Sequence, residues 1–136
     1  MTFHSVSVLI TVYNRPDHLR LCLGALAGQT VKPAQVVIAD DGSDTPVALA
    51  LAPFLASYPL PVQLVHQAHD GYRLAAARNL AIRAATGDYL VSIDCDIALL
   101  PDAIERHLRL AAPGAFLVGD RALLGEADSA PLFAAA

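Results

Sequence analysis

Two aspartates separated by a single residue, Asp94 and Asp96, are the first side chains in this sequence whose type and spacing point to chemistry. In extended chain, positions i and i+2 face the same side. Two carboxylates about 6–7 Å apart at an effective dielectric of about 20 repel by about 2–3 kcal/mol. A divalent cation removes that cost. Oxygen ligands suit Mg²⁺ or Mn²⁺, and Mg²⁺ takes one or two carboxylates and completes its shell with water and substrate phosphates. Two turn aspartates that cap the following helix or face solvent are the better account of Asp-x-Asp in general. At the end of a buried strand the metal account overtakes it. Cys95 points the other way and is read as a core residue, since a thiolate is the wrong ligand for these metals.

A second acidic pair, Asp40-Asp41, is followed by Gly42, Ser43 and Asp44. Gly42 permits a turn, and Ser43 or Asp44 can cap the helix that begins near Pro46. Turn chemistry does not require two successive aspartates, so one of them is expected to face a site, where a carboxylate accepts an N–H from a nucleobase ring. Arg78 interrupts an apolar stripe, Leu74–Arg78–Ile82, at helical spacing. A buried guanidinium needs an anion, which is either an internal strand-end aspartate or a ligand phosphate; both place Arg78 at the site. Arg73, at the helix start, is within reach of the same phosphate, and Asn79 is less constrained. His66, His69 and Asp70 invite a zinc reading, but the segment reads as loop and no third ligand is signalled. Loop histidines near a pocket mouth fit better. No Ser or Cys nucleophile has a recognisable partner.

These groups need elements to position them, and the pattern alternates. Ser5–Val12 is a β-branched run of the kind a fully buried strand shows. Pro16 opens a helix with Leu19, Cys22, Leu23 and Leu26 on one face and Gly28 near its end. Gln35–Ala39 is a second strand, Pro46–Ser57 a helix interrupted at Pro53, and Val62–His66 a third strand. Leu74–Thr86 is an Ala-rich helix closed by Gly87 as its cap. Tyr89–Ile93 is a fourth strand, Pro101–Ala112 a short helix with Asp102 in its first turn, and Ala115–Val118 a candidate fifth strand. The end of the chain, residues 122–136, carries no readable period and is expected to be poorly structured. This order implies an α/β domain: a Rossmann-like parallel sheet of four to five strands with helices on both faces. Ligands of such sheets bind beyond the carboxyl ends of the strands, near the point where strand order reverses. Thr11, Tyr13 and Asn14, Asp40 and Asp41, and Asp94 and Asp96 all fall at those ends.

Composition narrows the class further. The chain has 136 residues, one domain's worth. Hydrophobic residues make up 55% and charged residues 16%, which excludes a disordered chain. Nine Lys+Arg against 13 Asp+Glu argue against a partner held by a basic groove, so no nucleic acid is expected. The longest apolar stretch, Pro46–Val62, is broken by Pro53, Pro59 and Pro61, so no transmembrane segment is expected. With no basic, long apolar leader at the N-terminus, a cytoplasmic location is expected. Two cysteines, Cys22 and Cys95, make no disulfide framework.

Taken together, these pieces resemble the family 2 glycosyltransferases, whose fold is of the GT-A type. The resemblance runs from about Ser5 to Arg121. It is carried by residues 6–15, Gln29-Thr30, Val37-Ile38-Ala39-Asp40-Asp41-Gly42-Ser43-Asp44, Ala77-Arg78-Asn79, Gly87-Asp88-Tyr89 and Asp94-Cys95-Asp96. Each motif alone is weak, whereas all of them in order are specific. The stretches 70–74 and 105–108 look like a bacterial branch that makes surface polysaccharides.

The resemblance implies a nucleotide-diphospho-sugar donor, UDP-linked, with Mn²⁺ or Mg²⁺ as cofactor. Thr11 and Tyr13 would flank the base beside Asn14, and Asp41 would bind the uracil ring. Arg78 would lie near the base or diphosphate, Asp94 near the ribose or sugar, and Asp96, with Asp94, on the metal. The family inverts the anomeric centre by direct displacement and transfers to a glycan or lipid-linked acceptor. That places the protein at the inner face of the membrane or beside a partner subunit. Members run well past this length, and their acceptor-binding half and catalytic base usually follow the metal motif. On that pattern the C-terminal acceptor half is expected to be missing and the catalytic residue stays unassigned; Asp120 is the only carboxylate near a late strand end. Slow transfer or donor hydrolysis is therefore the expected activity, and the alternative is a catalytically incomplete nucleotide-sugar-binding fragment or partner subunit. Two related α/β readings fit less well. A phospho-accepting receiver wants a lysine at a late strand end, but Lys32 precedes the second strand. A nucleotidyltransferase wants a Gly-rich loop after the first strand, and residues 11–15 contain no glycine.

Overall fold

Seven consecutive buried residues form strand β1 (Val6–Val12) in the computed structural model, which describes residues 3–135. The chain continues as α1 (Pro16–Ala27), β2 (Gln35–Asp40), α2 (Val47–Ala50), α3 (Ala52–Ala56), β3 (Val62–His66), α4 (Leu74–Ala84), β4 (Tyr89–Asp94), α5 (Ala103–Leu110) and α6 (Glu126–Ala135). The four strands are parallel and lie in the order β3-β2-β1-β4. β1 and β2 are therefore the inner strands, which is why both are buried along nearly their whole length and read as near-continuous apolar runs.

The sheet is covered on both faces. Val6, Val8, Ile10 and Val12 of β1 join Val36 and Ile38 of β2 in one layer, packed against Leu19, Cys22, Leu23 and Leu26 of α1, Val47, and Ile104 of α5. On the opposite face Leu9, Val37 and Ala39 meet Ala77 and Ala81 of α4. Small side chains there let the α4 backbone lie close to the strands. Behind the acidic strand end, Gln29 ties α1 to α5: its Nε2 donates to Leu100 O at 2.8 Å and its Oε1 accepts the Ile104 N–H at 3.1 Å. That pairing gives the Gln29-Thr30 motif a structural purpose, because it satisfies one of the first-turn donors of α5.

Several boundaries differ from the expectation, each for a local reason. The helix of residues 46–57 breaks at Leu51, not at Pro53; Pro53 lies in the first turn of α3, where a missing N–H costs nothing. α4 ends at Ala84 with Ala85 extended, so Gly87 is not its cap. Gly87 instead lies against β1, where an added Cβ would sit 2.6 Å from the Ser7 N. α5 spans Ala103–Leu110 only. Ala115–Val118 is not a strand: Phe116 and Val118 are exposed, and the sheet has four strands among the described residues. Residues 126–135, within the segment expected to be poorly structured, form α6. Its Phe133 ring meets His18 edge-on at 4.8 Å, while most of the helix stays exposed, which is why no apolar period marks it. Among the described residues no helix is long and apolar enough to cross a membrane.

Candidate functional site

At the carboxyl edge of the sheet, β1 has β2 on one side and β4 on the other; Thr11 is in register with both Ala39 and Asp94. Chain order runs outward from β1 through β2 to β3 and then returns to β4, so it reverses between β1 and β4. A parallel sheet leaves its ligand crevice at that reversal.

Asp40 and Asp41 separate into two tasks. Asp40 is buried, its Oδ1 accepting the Ser43 N–H at 2.9 Å and its Oδ2 the Val47 N–H at 3.0 Å. It caps the turn and the start of α2, a role the sequence assigned to Ser43 or Asp44. Asp41 is also buried, yet it lines a cavity of about 290 Å³ together with Thr11, Tyr13, His69, Tyr72 and Leu74. Gln67, the first residue beyond β3, donates its Nε2–H to Asp41 Oδ1 at 2.6 Å. Oδ2 carries no protein hydrogen bond among the described residues. The Tyr13 and His69 rings stack 6° from parallel with centroids 4.3 Å apart.

Asn14 has φ of 51° and stitches two turns together. Its N–H donates to Ser43 Oγ at 2.9 Å, its Nδ2 to Asp44 Oδ2 at 3.1 Å, and its Oδ1 accepts the Asp44 N–H at 2.8 Å. Its amide is thus engaged within the protein, at the rim of the site.

On the other side of β1, each remaining carboxylate faces an arginine. Arg78 Nη2 donates to Asp94 Oδ1 at 3.0 Å, and Arg15 Nη1 lies 3.6 Å from Asp96 Oδ2. Arg78 is not sunk in an apolar stripe: the buried face of α4 is Ala77–Ala81, Ile82 is exposed, and the Arg78 side chain is 44% exposed. Arg78 thus pairs with the strand-end aspartate Asp94, the internal partner that the sequence reading offered. β4 ends at Asp94, so Asp96 belongs to the turn and the i, i+2 same-face geometry does not extend to it. Asp41 and Asp96 share the edge but lie on either side of β1, so the acidic groups do not converge on one point.

Cys22 and Cys95 are both buried. Burial, reinforced by the Cys95 and Asp96 charges, pushes the Cys22 thiol up to about 12. Burial likewise raises Cys95 to about 11. Both are buried and protonated at neutral pH, so neither is poised as a nucleophile. Asp120 falls in an exposed irregular segment, not at a strand end.

The profile of glycosyl transferase family 2 matches residues 7–123. The chain belongs to glycosyltransferase family 2. It is 35% identical over 79% of its length to a chondroitin synthase of Escherichia coli, of which it spans 16%. It is also 35% identical over 71% of its length to a hyaluronan synthase of Pasteurella multocida, of which it spans 10%. Among solved structures it resembles the mannosyltransferase PcManGT of Pyrobaculum calidifontis in complex with GDP-Man and Mn²⁺. That match has a TM-score of 0.68 and 28% identity over 83% of this chain and 34% of that one. It also resembles residues 1–349 of S. aureus TarS in complex with UDP-GlcNAc (TM-score 0.58, 25% identity), covering 68% of this chain and 27% of that one. The chain spans about a third or less of the curated relatives it matches. The α/β, Rossmann-like fold is that of the GT-A structures.

Family membership raises the question of a metal, and the donor set answers it in part. No cluster of three or more His, Cys, Asp or Glu side chains able to hold an ion exists among the described residues, so an all-protein cage is absent there. Asp94 and Asp96 still offer hard oxygens, which fit an ion that keeps most of its shell as water and phosphate.

Two residues at this edge, Gln67 and Arg15, carry no motif of their own in the sequence. Gln67 stands one register step beyond the Asp40–His66 pair of β2 and β3, opposite Asp41. Arg15 follows β1 as Asp96 follows β4. Strand-end position was the available signal for both.

Proposed function

We propose that this chain is the donor-binding part of a metal-dependent, inverting glycosyltransferase that uses a UDP-sugar in bacterial surface polysaccharide or glycoconjugate synthesis. The observation that carries the reading is the cavity over Asp41, walled by Tyr13 and Thr11 at the strand ends. Asp41 accepts a ring N–H of the base. Gln67 holds the carboxylate in place by occupying Oδ1. Across β1, Arg78 offers its guanidinium to the diphosphate while retaining Asp94, whose second oxygen reaches the ribose or sugar. Asp96, with Asp94, would hold Mg²⁺ or Mn²⁺, and such an ion supplies neutralisation of the charge on the departing diphosphate. In the transfer the acceptor oxygen bonds the anomeric carbon as the bond to the diphosphate oxygen breaks. The acceptor is a glycan or a lipid-linked sugar, reached from the cytoplasmic face of a membrane or through a partner subunit.

The acceptor hydroxyl's proton must go to a base that the residues gathered here do not supply, since Asp94 and Asp96 are each paired with an arginine and this reading gives Asp41 to the base. That observation favours a second reading, nucleotide-sugar binding without turnover. Calorimetric titration with UDP and Mn²⁺ tests the first. Binding that weakens in Asp96→Ala supports it; no binding, or binding indifferent to Asp96→Ala, counts against it. A sugar-release assay then separates a transferase from a binding protein.

A further inference from the structure

His69 is held at three points. Its ring stacks on Tyr13 at 4.3 Å. Its Nδ1 lies 3.2 Å from the Asp41 carbonyl oxygen; a carbonyl only accepts, so Nδ1 donates in that contact. Its backbone is wedged against Gly42, where an added Cβ would lie 2.2 Å from the His69 N and where φ is +74°. Gly42 therefore serves this close approach as well as the turn. A third ring between two stacked rings needs about 7 Å, two contact spacings, and the Tyr13–His69 spacing does not admit one. A base must lie against the cavity side of the pair, with Asp41 at its edge.

We infer that His69 is a further base-recognition residue: with Tyr13 it forms the planar wall of the nucleotide cavity, and it is anchored there by the Asp41 carbonyl. The inference rests on the donor-binding reading above. The Asp41 carboxylate accepts hydrogen bonds, so the base edge it suits is one that carries N–H, as the imide of uracil does.

The test is titration of UDP and of inorganic pyrophosphate, each with Mn²⁺, into the unaltered chain, His69→Ala and His69→Phe. The expected result is about a tenfold loss of UDP affinity in His69→Ala, in line with base stacking on an aromatic side chain, with pyrophosphate unchanged. His69→Phe keeps a ring and should recover most of the loss. UDP affinity that is equal or tighter in His69→Ala overturns the inference; tighter binding is what a ring standing in the base's own place would give. A parallel loss for UDP and pyrophosphate, or a Phe variant no better than Ala, overturns it as well. If the unaltered chain binds no UDP, the donor-binding reading fails and takes this inference with it.

Discussion

At the scale of single residues, adjacent carboxylates do unlike work because their neighbours differ. Asp40 accepts two backbone N–H groups and Asp41 accepts one side-chain N–H beside a cavity. Asp40→Ala should therefore cost stability, about 1–3 kcal/mol for buried donors left unpaired, read by denaturant unfolding. Asp41→Asn should leave the midpoint near the original and weaken UDP binding about tenfold, the size of a lost charge-assisted hydrogen bond, read by calorimetry. Asp88 gives a pH prediction. Its carboxylate accepts the His4 and Ser5 N–H groups and the Ser5 hydroxyl, which hold its pKa below the ordinary value. A depressed carboxylate contributes stability above its unfolded pKa and loses it as pH falls through the folded one. Unfolding midpoints measured below about pH 4, near the unfolded Asp value, should fall with pH less steeply in Asp88→Asn than in the unaltered chain.

At the scale of elements, Gly87 matters through what approaches it. Gly87 admits the β4 entry against Ser7 of β1. Gly87→Ala should destabilise the sheet by about 1–3 kcal/mol, the usual range for overpacking, with the midpoint shift as readout. The α4 helix illustrates how a sequence pattern misleads. Leu74, Arg78 and Ile82 look like its inward stripe, but the sheet selects Ala77 and Ala81, because small side chains allow the helix to approach the strands β1, β2 and β3. Periodicity identifies an amphipathic helix readily; which of two apolar stripes turns inward depends on the surface it meets.

At the scale of the whole molecule, the two buried thiols report on folding. With Cys22 raised to about 12 and Cys95 to about 11, both should resist a thiol reagent at pH 8 and react once denaturant unfolds the chain. Prompt labelling of the folded protein would contradict their burial. A raised thiol pKa contributes stability that is complete below the unfolded value and lost as pH rises through the folded one. Resistance to alkali should therefore decline from about pH 9 upward, the window set by an unfolded thiol near 8.5. Beyond residue 109 several large apolar side chains, among them Leu110, Phe116, Val118 and Leu123, stand exposed.

The sequence by itself determined the order of strands and helices as far as α5, the parallel α/β class, the family, and the polar residues of the carboxyl edge, because β-branched runs, Ala-rich helical periods and strand-end aspartates are local patterns; beyond α5 it misplaced a fifth strand and missed α6. Only the tertiary structure decided the partners of those residues. It assigned the cap of α2 to Asp40, Arg15 to Asp96, Gln67 and His69 to Asp41, Gly87 to Ser7, and residues 126–135 to a helix. The pairings of Arg15 with Asp96, of Gln67 and His69 with Asp41 and of Gly87 with Ser7 depend on chain segments distant in sequence being brought to one edge or one face, and hydrogen bonds and ion pairs form over about 3–4 Å, a proximity that no spacing along the chain encodes.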